Sequence, residues 1–144
     1  VIADIQLAGD FTDPELFDTY SSPFIGANNP ALPLPARALI DAGAMVTLSS
    51  DFDVSPLSPF RGIGNAVSRP VDNLTVREAV DAYTINAAYL MRQEDRAGSL
   101  EEGKRADFIV LDQDIFNIPA NDIRDTQVLL TVFDGREVFR SNLF

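Results

Sequence analysis

The segment 44-AMVTLSSDFDVSP-56 is an apolar, strand-like run that breaks into two carboxylates and then a proline. Val46 and Thr47 are β-branched, Met45 and Leu48 are apolar, and Asp51 stands just past the end of the run. Upstream, 33-PLPARALIDAG-43 carries Pro35 where a first helical turn accepts it. Gly43 stands where a helix ends in a left-handed residue. Helix, tight turn, strand is the rhythm of an α/β protein with a parallel sheet. In such sheets, sites gather at the carboxyl ends of the strands, so Asp51 stands where chemistry is expected. A carboxylate there can bind a metal or accept a proton from water. On spacing alone the plainer reading, an Asp that ends a strand or caps a turn, is the stronger.

Working outward, Val1 to Ala8 alternates partly, with Ile2, Ile5 and Leu7 apolar, and reads as a buried strand. It has neither a basic n-region nor a cleavage site, so the chain is expected to start mid-fold. Asp13-Pro14-Glu15 is a helix start, and the Pro, Gly and Asn residues of 20–33 read as loop. After Asp51 no regular pattern is predicted until Leu74, and a loop of that length often serves as a lid or binding loop. Gly62-Ile63-Gly64 reads there as a turn, since it lacks the third glycine of a phosphate-binding loop. Thr75-Val76-Arg77-Glu78 fits a capping box, and Val76, Ala79, Val80, Tyr83, Ala87 and Leu90 predict one helix from Thr75 to Met91. From Gly98 a turn-rich connector leads to a strand over Ala106–Leu111, with Lys104 a solvated turn residue. Gln127–Phe133 and Arg136–Phe139 around Asp134-Gly135 then predict a hairpin.

Composition narrows the chemistry. At 144 residues with 46% hydrophobic content, the chain has enough material for a real core. A net charge of −11 argues against a nucleic-acid partner. No apolar run is long enough to span a membrane, so a soluble, cytoplasmic protein is expected. There is no Cys, which excludes disulfides and thiol nucleophiles, and no His, the usual general base. Catalysis by this chain would rest on carboxylates, hydroxyls, Lys104 or Arg.

The segment at 44–56 resembles the G/S-S-D-x-P-V stretch of metal-dependent amidohydrolases, in the branch typified by N-substituted formamide deformylases. The resemblance continues through 74-LTVREA-79 and 83-YTINAA-88 into 95-DRAGSLEEGKRADFIVLD-112. The last of these is the most specific, resembling the family's G-S-L-x-x-G-K-x-A-D-x-V-V-L-D. The resemblance implies α/β architecture: the carboxy-terminal part of a (β/α)8 barrel over residues 1–97, with residues 98–144 giving strands of a small composite β-sandwich.

It also implies hydrolysis of a C–N bond by a metal-activated water. The implied cofactor is a divalent metal, zinc, as one or two ions, with its other ligands upstream of this chain. Asp51 matches the aspartate that binds the metal and shuttles the proton. Asp53 stands where the family usually has proline, so it either favours cationic substrates or faces solvent. Arg61 has the reach for a substrate carboxylate, against a solvated role. Phe52 and Phe60 are candidates to line a pocket, against packing on the barrel rim. The expected partners are a small amide-type substrate, the remainder of the barrel and a second copy in a homodimer. A full barrel takes about 250 residues, so the chain is expected to be a piece of a longer enzyme, inactive alone. The alternatives are a non-catalytic relative of the same fold and an acidic interaction module.

Overall fold

The computed structural model describes residues 1–9 and 34–144. The helix start at Asp13 and the loop at 20–33 lie outside the described residues. Strand β1 (Ile2–Gln6) pairs in parallel with β2 (Met45–Ser49), with Ile2 opposite Met45 and Gln6 opposite Ser49. Helix α1 (Ala36–Asp41) enters β2 through the turn expected at Gly43, whose φ is +82°. The Gly43 and Ala44 N–H groups donate to the Ile40 and Leu39 carbonyls and close the helix end. Pro35 gives α1 no side-chain cap. The carboxylate of Asp72 substitutes from a distant loop, accepting the Ala38 N–H at 3.0 Å.

The stretch after Asp51 departs from expectation, because residues Pro59–Ser68 form helix α2. Pro59 begins it, and Phe60, Ile63 and Ala66 give it a buried apolar face. Gly62-Ile63-Gly64 is therefore not a turn but the middle of a helix. Each glycine admits a neighbour that a side chain would obstruct. A Cβ on Gly62 would stand 2.1 Å from the Tyr83 hydroxyl oxygen, and one on Gly64 would stand 3.3 Å from the Arg124 backbone nitrogen.

The helix expected over Thr75–Met91 is two, α3 (Val76–Tyr83) and α4 (Ile85–Leu90). They break at Thr84, whose φ and ψ are −122° and −93°. The Thr84 hydroxyl donates to the Val80 carbonyl at 2.7 Å, a bond that competes with regular helix at that point. Leu90, expected on the buried stripe, is 44% exposed.

The capping box forms as read. The Glu78 N–H donates to the Thr75 hydroxyl oxygen, and the Thr75 N–H donates to the Glu78 carboxylate. Arg37 of α1 donates to the same carboxylate at 2.7 Å, tying two helices together. Burial pushes the Glu78 carboxyl up, but the Thr75 N–H, Arg37 and the Thr75 hydroxyl outweigh it and hold the group below its ordinary value. A lowered carboxyl adds stability above its unfolded pKa of about 4.3 and loses it as pH falls through the folded value. Acid unfolding should therefore steepen below about pH 4.3, and Glu78→Gln should flatten that part of a melting-temperature profile. An unchanged acid limb in the variant would refute this.

Strands β3 (Phe108–Leu111), β4 (Val128–Phe133) and β5 (Arg136–Arg140) form an antiparallel sheet in that order. Asp134 and Gly135, at φ 50° and 72°, make the tight hairpin turn expected of that pair. Between β3 and β4 the chain runs back against α2 through a 3-10 turn at Ala120–Asp125. Ile115 and Ile123 thereby join one apolar cluster with Ile5, Val46, Leu48, Phe60, Leu74 and Ala79.

Candidate active site at the end of the second strand

The two parallel strands have two unlike faces. Ile5, Val46 and Leu48 point into the apolar cluster beneath the helices. Asp4, Gln6, Thr47 and Ser49 occupy the other face, as period-two alternation requires. The Asp4 carboxylate accepts from the Thr47 hydroxyl at 2.8 Å and the Ser49 hydroxyl at 2.9 Å, and Gln6 donates to both Asp4 and Ser49. This polar face went unread in the sequence, although Asp4/Gln6 and Thr47/Ser49 alternate with apolar residues in both strands. Asp51 follows Ser49 by two residues, just past the carboxyl end of β2.

Asp51 is exposed and has a φ of 50°, a left-handed conformation that Asp tolerates better than most residues. Its carbonyl accepts the Val54 N–H at 2.7 Å. That bond closes a turn just past the strand, and the Asp51 carboxylate has no hydrogen-bond partner among the described residues. From the helix side, the Asn86 amide donates to the Val46 carbonyl at 3.0 Å and anchors the strand that carries Asp51.

The other candidates separate. Phe52 and Asp53 follow Asp51 on the same exposed turn, with Phe52 68% accessible. Phe60 is buried in the core and lines no pocket, because α2 turns it inward. Arg61 is not on a loop but in the first turn of α2, half-buried. Lys104 is not solvated: its side chain is 14% exposed and bonds the Ser99 hydroxyl and Glu101.

Among the described residues, no three acidic side chains stand together to hold a metal ion. With no His or Cys in the sequence, the donor set fits one position of a divalent ion's shell, the free carboxylate of Asp51. No helix among the described residues is long and apolar enough to cross a membrane.

The Amidohydrolase family profile matches residues 1–139, and the chain belongs to that family. It is 38% identical over 120 residues to the N-substituted formamide deformylase of Arthrobacter pascens, covering 76% of this chain and 22% of that protein. It is 46% identical over 81 residues to the imidazolonepropionase of Micrococcus luteus, covering 54% of this chain and 20% of that protein. An amidohydrolase structure from Thermotoga maritima MSB8 superposes with a TM-score of 0.61 at 28% identity, over 76% of this chain and 27% of that one. The chain thus spans about a fifth of the length of these curated relatives. Its fold is part of the α/β amidohydrolase barrel, with β1 and β2 as neighbouring parallel strands. Membership in the family supports hydrolase chemistry in general.

Proposed function

We propose that this chain contributes Asp51 to the active site of a metal-dependent amidohydrolase that cleaves a C–N bond of a small amide-type substrate. The observation that carries the reading is a free, exposed carboxylate at the carboxyl end of a parallel strand, in a chain of this family. A bound divalent ion, zinc being the expected one, would lower the pKa of the attacking water and polarise the substrate carbonyl.

Asp51 would hold that ion from one side and accept the proton of the attacking water. It would then deliver the proton to the nitrogen, which otherwise leaves as an unstable anion. Phe52 and Asp53, on the same exposed turn as Asp51, would meet the substrate beside it, and Arg61, in the first turn of the following helix, would reach a substrate carboxylate. The remaining metal ligands would come from the rest of the barrel, and the 144 residues alone should not turn over substrate.

Stripping divalent metal from the full-length enzyme with a chelator should lower amide hydrolysis by about 100-fold or more, and adding back zinc should restore it. Undiminished hydrolysis after complete removal of metal would overturn the proposal.

A further inference from the structure

The ladder between β1 and β2 stops one step short of Asp51. The Met45 N–H donates to the Val1 carbonyl at 3.1 Å. The observed register carries the same bond forward, from the Thr47 N–H to the Ala3 carbonyl and from the Ser49 N–H to the Ile5 carbonyl. The next donor and acceptor in that series are the Asp51 N–H and the Leu7 carbonyl, and they do not pair. The Leu7 carbonyl instead accepts the Asn65 side-chain amide of α2 at 2.9 Å. The Asp51 N–H makes no backbone hydrogen bond among the described residues.

Leu7 and Asn65 are both fully buried. A buried carbonyl without a donor costs free energy, and the Asp51 N–H is the donor that the register would bring to Leu7. Pairing there would draw Asp51 into extended backbone, with φ about −120°. Asp51 instead has a φ of 50°, and its carbonyl closes a turn with the Val54 N–H at 2.7 Å. The two arrangements exclude one another, and the Asn65 bond favours the second.

We propose that Asn65 is a positioning residue for Asp51: by taking the Leu7 carbonyl it ends the ladder at Ser49 and releases Asp51 into the turn that carries its carboxylate. The consequence for turnover rests on the reading of Asp51 as the proton-transfer group. The end of the ladder does not.

Hydrogen exchange resolved by residue reads the ladder directly in the unsubstituted full-length enzyme. The Thr47 and Ser49 amides should exchange about 10-fold or more slower than the Asp51 amide. Protection of Asp51 equal to that of Ser49 would overturn the proposal. Asn65→Leu keeps most of the side-chain volume and removes the donor. In that full-length variant the Asp51 amide should gain about 10-fold protection. Its kcat should fall about 100-fold, the effect of a displacement near 1 Å, while KM holds because Asn65 is buried away from substrate. Unchanged exchange at Asp51 in the folded variant would overturn the proposal. Gained protection with unchanged kcat would uphold the role of Asn65 at the ladder's end and remove Asp51 from the mechanism, so the two readings fail separately.

Discussion

Asp51→Asn in the full-length enzyme should lower kcat/KM for an amide substrate by about 100- to 10,000-fold, the range for loss of a general acid–base group. Asparagine keeps the size and polarity of the side chain but can neither take up nor return a proton at neutral pH. It is also a poorer ligand for a divalent cation, because the amide oxygen carries no negative charge. The fold should be untouched, since Asp51 is exposed and its carboxylate bonds no other group among the described residues. Exposed substitutions of that kind shift stability by about 0.5 kcal/mol or less. The turn also survives, because it is held by the Asp51 carbonyl and not by the side chain. The test therefore pairs kcat/KM with a thermal melt. Near-normal turnover in a well-folded variant would remove Asp51 from the mechanism. Loss of turnover with loss of folding would make Asp51 a structural residue instead.

The parts of this fold legible in the sequence are those that local chemistry fixes. Gly43 can adopt positive φ because it has no Cβ to strain there, and this makes the helix-to-strand turn readable. The Thr75/Glu78 box and the Asp134-Gly135 turn are likewise decided within four residues. What went unread depends on partners distant in sequence. Helix α2 holds two glycines that locally argue for a loop, and at those points Tyr83 and the 3-10 turn pack closely against the helix.

The site divides the same way. Asp51 was readable as a strand-end carboxylate, but its relation to the Asp4, Gln6, Thr47 and Ser49 face depends on strand register between residues more than 40 apart. Arg61 was misplaced because its position follows from α2.

The same contrast between local and distant causes predicts the effect of Gly98→Ala. Gly98 and Gly103 flank one connector at nearly equal φ, +90° and +91°, so a side chain at either should incur the same backbone strain. That strain is about 1–2 kcal/mol. Their surroundings differ. A Cβ at Gly103 meets nothing within 4 Å, whereas one at Gly98 would stand 2.7 Å from the Ala88 Cβ, 2.9 Å from the Ile85 Cα and 3.1 Å from the Thr84 carbonyl oxygen.

Two of those three neighbours are backbone atoms at the start of α4, so no rotamer change relieves the overlap. The added clash costs about 1–3 kcal/mol, for a total of about 2–5 kcal/mol, a large share of a typical domain's 5–15 kcal/mol. With m near 1–3 kcal/mol/M, the urea midpoint of Gly98→Ala should fall by about 1–3 M. Gly103→Ala, which carries the strain without the clash, should fall by less. The difference between the two midpoints isolates the packing of the connector on α4 from the backbone strain they share. Equal midpoints in the two variants would mean that Gly98 is required for its dihedral angle alone and that the connector does not press on the helix.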